Sequence, residues 1–282
     1  MRDTEPSRTA ELMALCRASE RFWPETERVV DDPYAELFLR PDSAAWLATA
    51  RTFGTGRRHV NQTERWLTHG TRALVLARHR YIENAMLAAK PEQVLLLGAG
   101  YDTRAWRLPL GDIPIFEVDH PATAARKSER VASLPPRPNR RVVPVDFSSE
   151  RWMDKLVAAG FQRGLRTFAS WEGVSMYLPE AAVRETLSWL AAEGVTVAWD
   201  YTSPTDAEGI RGAVHRALPH FLKLFGEPVR FQIPAQEIGA FCASVGLTMA
   251  DHGGPQDLAA LFPRPVSVYP WAGVVVARGA AP

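Results

Sequence analysis

Cysteine is almost missing from this sequence: Cys16 and Cys242 are the only two in 282 residues. Two thiols so far apart make neither a disulfide framework nor the paired spacing of a zinc site, and they suit a reducing compartment. An excess of charge of either sign is lacking too. Against 33 basic residues stand 32 acidic ones, a net charge of +1, so no global field draws the chain to nucleic acid or to an anionic membrane. Basic clusters at Arg57-Arg58 and at residues 137–141 have no aromatic residues interleaved with them, as single-strand binding would want, and read as solvated loops. The longest apolar runs, such as residues 94–97 and 274–277, are strand-length and far too short for a bilayer. Residues 1–10 are polar and charged and lack the apolar core of a signal peptide. There is no internal repeat and no low-complexity tract. These absences predict a soluble cytoplasmic protein without membrane or nucleic-acid partners; nothing here sets an oligomeric state. The length admits one large α/β domain with additions or two small domains.

The pattern divides the chain in two. Residues 1–90 read as a mostly helical lid region. Leu12, Leu15 and Cys16 are helically spaced, Tyr34, Leu37 and Phe38 share one side of the next segment, and residues 54–60 read as a loop. One long helix is expected from Gln62 to Ala89, stopped by Pro91. From Val94 onward, strands alternate with helices. Strands are expected at 94–97, 115–118, 141–145, 167–171 and 195–199, with helices at 122–132, 150–159 and 180–192. This alternation predicts an α/β fold with a doubly wound, Rossmann-like parallel sheet over residues 91–282. A partly helical insertion at about 203–234, carrying His215, Arg216, His220 and Phe221, precedes late strands at 247–250 and 272–277.

The first strand ends in Gly98-Ala99-Gly100. Two glycines after a buried strand permit a tight turn and a close approach of backbone to ligand. The second strand ends at Asp119, placed to accept hydrogen bonds from a ribose diol; capping of the following helix is the structural alternative. The third ends in Asp146-Phe147, a carboxylate for an adenine amino group and a ring to flank the base. A nicotinamide or flavin site also uses a glycine turn and an acid, but its third glycine falls where this chain has Thr103. The set therefore favours an adenosyl ligand without a pyrophosphate.

Leu97-Gly98-Ala99-Gly100-Tyr101-Asp102-Thr103-Arg104 and Phe116-Glu117-Val118-Asp119-His120-Pro121 resemble the leucine carboxyl methyltransferase family. Glu172-Gly173-Val174-Ser175-Met176-Tyr177-Leu178-Pro179 is similar to its fourth-strand motif, and Ala77-Arg78-His79-Arg80-Tyr81-Ile82 to its N-terminal arginine motif. The likeness runs from about Asp31 to Tyr201. The family holds phosphatase-methylating enzymes and bacterial small-molecule O-methyltransferases, including those of polyketide pathways. The resemblance implies a class I methyltransferase fold and S-adenosyl-L-methionine as cofactor. It implies that Arg78 pairs with the cofactor carboxylate and that Gly98 and Gly100 line its methionine part. Asp119 would hold the ribose, Asp146 and Phe147 the adenine, and Glu172 would sit near the amino group.

Methyl transfer from a sulfonium needs alignment and exclusion of water rather than an oxyanion hole. A carboxylate acceptor is already ionised; a hydroxyl would be helped by a base. No convincing base stands out. His120 reads as a helix cap. His59, His69 and His79 do not share a helix face, so no metal is expected. Tyr177 either contacts the acceptor or is a buried structural tyrosine. Arg104 and Arg107 either hold the first helix of the sheet domain or touch substrate. Phe22-Trp23, Trp46, Trp66, Phe221 and Phe225 point to an apolar acceptor pocket, although helical spacing makes each of them more often core than pocket. A small-molecule acid or polyketide-like acceptor is preferred to a protein C-terminus, because the N-terminal third has no basic docking run. The alternatives are a nicotinamide-dependent oxidoreductase, or a methyltransferase-fold protein that uses its pocket for binding or another reaction.

Overall fold

The computed structural model describes residues 7–64, 69–147, 150–205, 212 and 228–280. Most of the expected 203–234 insertion lies outside these residues, as do His215, Arg216, His220, Phe221, Phe225 and Trp66. Four helices come first: α1 (Arg8–Ser19), α2 (Pro41–Thr52), α3 (Gly56–Thr63) and α4 (Thr71–Ala89). Then follow β1 (Gln93–Leu97), the single-turn α5 (Arg104–Arg107), β2 (Ile115–Asp119), α6 (Pro121–Arg130), β3 (Arg140–Pro144), α7 (Trp152–Ala158) and β4 (Thr167–Trp171). The chain continues with α8 (Glu180–Ala192), β5 (Thr196–Thr202), α9 (Ile238–Ser244), β6 (Leu247–Gly253), α10 (Pro255–Ala260) and β7 (Ala272–Gly279).

The seven strands form one sheet in the order β3-β2-β1-β4-β5-β7-β6. Successive side chains of a strand point to opposite faces, and both faces of this sheet are covered. Val94 and Leu96 join the core under α1 and α4, with Leu76, Ile82 and Met86. Leu95 and Leu97 join the core on the other face, with Leu156, Leu187 and Phe241. That double burial is why β1 reads as a continuous apolar run rather than an alternating one. The fold is the class I methyltransferase fold, a mixed α/β sheet preceded by helices.

Two expectations need correction. The sheet is not parallel throughout: β1 to β5 are, but β7 runs antiparallel between β5 and β6. A parallel return would need a crossover helix across the sheet. The stretch between β6 and β7 holds only the six-residue α10, which packs against α4, so the chain comes back beside β6 in the opposite direction. The second correction concerns residues 54–89. The expected loop at 54–60 is already helical from Gly56, and the expected single helix is two, α3 and α4.

His69 and Gly70 make the break, both with left-handed backbone at φ +46° and +90°. Tertiary contact fixes it. The Gly70 carbonyl accepts the Tyr269 N–H at 3.1 Å, and a Cβ on Gly70 would come within 2.6 Å of the Ser267 carbonyl oxygen. Gly70→Ala therefore meets both a disfavoured φ and a backbone clash. The expected loss is about 1–3 kcal/mol, read as a lower urea midpoint at unchanged m. No change in midpoint would show that this junction yields freely.

Candidate cofactor and substrate cavity

The strand order reverses at β1, whose neighbours β2 and β4 lead the chain away on opposite sides. In open α/β sheets ligands bind at this switch point, beyond the carboxyl ends of the strands. Here the switch point holds a cavity of about 620 Å³, within the usual range for a small-molecule site. Arg78, Gly98, Gly100, Asp119, Asp146, Phe147, Glu172 and Tyr177 all line it. α1 closes one side with Ala10, Met13 and Arg17.

The glycine turn is demanded by its surroundings. Gly98 has φ +64°, and a Cβ there would lie 2.3 Å from Val174 Cγ2. Gly100 has φ +45°, and its N–H donates to Asp119 Oδ2. Asp119 Oδ1 accepts the His120 N–H at 2.6 Å. Burial pushes the Asp119 carboxyl up, and the two N–H donors only partly oppose this. Asp119 thus ties the ends of β1 and β2 together instead of capping a helix. Capping falls to His120, whose Nδ1 accepts the Ala122 N–H at 3.3 Å.

A buried ionic network underlies the cavity floor. Arg78 Nε donates to Glu172 Oε1 at 3.1 Å and Nη1 to Asp200 Oδ2 at 2.7 Å. Glu172 Oε2 takes Arg104 Nη2 at 2.9 Å and faces His79 Nδ1 at 3.0 Å. Arg104 Nη1 donates to Asp102 at 2.6 Å. The network continues through Arg107, bonded to Glu83, to Asp32, which pairs with Arg17 of α1 at 2.8 Å. Burial alone would raise the Glu172 carboxyl, yet His79, Arg104 and Arg78 hold it well below the usual carboxylate range. Asp102 is likewise lowered, its burial outweighed chiefly by Arg104. Asp200 goes the other way, because burial outweighs Arg78 and the Gly173 N–H.

His79, Asp102 and Glu172 converge closely enough to suggest a metal site. The Arg104 guanidinium already bridges them, reaching His79 Nδ1 at 2.8 Å as well as both carboxylates. A second cation there would be repelled by it.

Sequence reasoning left Asp200, Met13, Arg17 and Arg230 unmarked, although Asp200 carried a usable signal. It is a carboxylate towards the C-terminal end of a parallel strand, as Asp119 is. Arg104 and Arg107 hold the framework, one of the two roles foreseen for them. The aromatic expectation is corrected: Phe22, Trp23 and Trp46 do not line the cavity. Trp23 lies between the guanidinium groups of Arg72 and Arg264, at 5.1 and 4.3 Å, and Phe22 packs edge-on against Trp46. These rings fasten α1 and α2 to distant parts of the chain.

The family model for leucine carboxyl methyltransferases matches residues 10–191, more than half of the chain. The chain belongs to that family. A Bacillus subtilis relative named "Putative S-adenosyl-L-methionine-dependent methyltransferase YktD" is 33% identical over 66% of this chain and 65% of its own length. A Mycolicibacterium gilvum protein, likewise named but without the gene label, is 40% identical over 48% of this chain and 56% of its own length. The chain thus spans between about half and two thirds of these curated relatives. Among solved structures, a DUF574 family protein from Streptomyces avermitilis has a TM-score of 0.60 at 14% identity, covering 99% of both chains. A Thermobifida fusca structure, named "a putative methyltransferase", also reaches 0.60 at 14% identity, over 98% of this chain and 96% of its own. At such identity these two bear on fold alone. Among the described residues, no helix is long and apolar enough to cross a membrane.

Proposed function

We propose that this chain is an S-adenosyl-L-methionine-dependent O-methyltransferase of a small-molecule acceptor, a carboxylate or hydroxyl on a natural-product, polyketide-like metabolite. One observation carries the cofactor reading. Arg78 spends Nε and Nη1 on Glu172 and Asp200, but among the described residues its Nη2 meets only the weak acceptor Met13 Sδ, at 3.5 Å. Nη2 runs close over Gly173, where a Cβ would come within 2.7 Å of it. A buried guanidinium with an underused donor on a cavity wall suits a ligand carboxylate.

The rest of the wall fits the same cofactor. Asp119 lies beside the glycine turn, where a ribose diol can donate to it, and Asp146 and Phe147 supply the adenine end. The arginines Arg17, Arg78, Arg104 and Arg107 stand against the carboxylates of Asp32, Glu83, Asp102, Glu172 and Asp200. The cofactor supplies an electrophilic methyl group on a sulfonium. The chain's residues orient that ligand, bring the acceptor oxygen in line and keep water out.

Thr103 argues against a nicotinamide site. Its hydroxyl donates to Asp32 at 2.8 Å and accepts from Arg107 Nε at 2.8 Å, so the third-glycine position is committed to the framework. Titration calorimetry tests the proposal. S-Adenosylhomocysteine should bind at roughly micromolar Kd, about −8 kcal/mol, and NAD should give no heat. Absence of heat with S-adenosylhomocysteine at millimolar concentration, or preferential binding of NAD, would overturn it.

A further inference from the structure

One charged group on the cavity wall is not committed to the framework. Arg17 and Arg78 are tied into carboxylates, Asp102 and Glu172 into arginines, and Asp119 into two backbone N–H groups. Arg230 also lines the cavity, is exposed, and among the described residues its guanidinium has no hydrogen-bond or ion-pair partner. Its backbone, by contrast, is fixed. The Arg230 N–H donates to the Met176 carbonyl at 2.7 Å, and the Phe231 N–H donates to the same oxygen at 3.2 Å. Two residues on, the Ile233 N–H bonds the Thr202 carbonyl at the end of β5, at 2.9 Å. Arg230 is thus held beside the short turn that carries Tyr177, with a cationic head that has no partner among the described residues. The neighbouring wall is apolar: Leu178, Pro179 and Pro228.

We propose, resting on the methyltransferase reading above, that Arg230 is a specificity-determining residue that binds a carboxylate of the acceptor, and that this carboxylate is not the group methylated. The second part follows from charge. A carboxylate that receives the methyl group becomes a neutral ester, so an arginine paired to it favours the state before transfer over the transition state and slows the step. A carboxylate elsewhere on the acceptor keeps its charge throughout, and pairing with it positions the acceptor without that penalty. The acceptor class is then an apolar hydroxy acid: an anion for Arg230, an aromatic or alkyl body for the apolar wall, and a separate oxygen for the methyl group.

The test uses the full chain saturated with S-adenosylhomocysteine and two probes of one shape, 4-hydroxybenzoate and 4-hydroxybenzamide, titrated by ligand-observed NMR. The acid should bind the unaltered protein about tenfold more tightly than the amide, the worth of one charge-assisted hydrogen bond near solvent. Arg230→Gln should bring the acid to within about twofold of the amide, and Arg230→Lys should restore part of the difference. Affinity for S-adenosylhomocysteine should stay within about twofold in both variants, which shows that the fold and cofactor cavity persist. Equal binding of acid and amide, failure of both to bind, or a preference that survives in Arg230→Gln would each overturn the assignment. Failure of the unaltered protein to bind S-adenosylhomocysteine would instead remove the methyltransferase reading, and this assignment with it.

Discussion

Asp119→Ala should abolish measurable binding of S-adenosylhomocysteine, with Kd rising by at least about 100-fold. In the proposed site this carboxylate accepts two hydroxyl donors from a ribose. Charge-assisted hydrogen bonds of that kind are worth roughly 1.5–3 kcal/mol each, and about 2.7 kcal/mol already corresponds to 100-fold. The side chain has a second duty, because it satisfies the N–H groups of Gly100 and His120. Alanine therefore costs stability as well, on the order of 1–3 kcal/mol for buried donors left unpaired. Asp119→Asn separates the two effects. Its amide oxygen can accept one of the two N–H groups, from Gly100 or from His120, while the negative charge is gone and the NH2 takes the place of the second acceptor. Asparagine should restore part of the lost thermal stability while ligand binding stays at least tenfold weak. Full binding by the asparagine variant, measured by calorimetry below the unfolding temperature, would show that the carboxylate serves only the turn.

Acidification gives an independent reading of the same group. Burial raises the Asp119 carboxyl above its ordinary value, so its charged form is lost earlier on acidification than that of an exposed aspartate. Affinity for the ligand should fall accordingly as pH drops, and the asparagine variant should lack that component.

Features that depend on local pattern were legible in the sequence. β1, β2 and β4 are short runs buried on both faces, and the turns after them and after β3 carry residues that line the cavity. Features set by distant contacts were not. β7 has the same texture as a parallel strand, and its direction depends on how the chain returns from β6. Gly70 sits inside an apparently continuous helical pattern, and the break there is enforced by residues 267–269, nearly two hundred positions away. The partners of Trp23 are as remote, since Arg264 reaches it from the far end of the chain. Arg78 could be marked, but that Asp200 and Glu172 grip it follows from the β4–β5 pairing, which places both strand ends against α4.

The largest loss of stability should come from Arg104→Met. Arg104 is only 1% exposed, and its guanidinium pairs with Asp102 and Glu172 and lies 3.6 Å from Glu83. Methionine fills part of the volume but leaves Asp102 without its cation and removes one of the cations facing Glu172 and Glu83, which keep Arg78 and Arg107. Breaking a buried pair in this way costs about 3–5 kcal/mol, a large share of the usual 5–15 kcal/mol. At about 2–4 °C per kcal/mol, the thermal midpoint should fall by roughly 6–20 °C at pH 7.5. The pH dependence identifies the cause. In the unaltered protein Glu172, Asp102 and Glu83 are held below their ordinary values. Their contribution is complete above the unfolded carboxylate values near 4 and is lost as pH falls through the lower folded ones. In the variant all three move upward, Asp102 most because burial then dominates there, so its charged form destabilises and is relieved on protonation. The gap between the two midpoints should be widest at neutral pH and close progressively below about pH 5. A gap that stays constant from pH 8 to pH 4.5 would assign the loss to packing, and would mean that the arginine at the centre of this network is not what keeps its carboxylates charged.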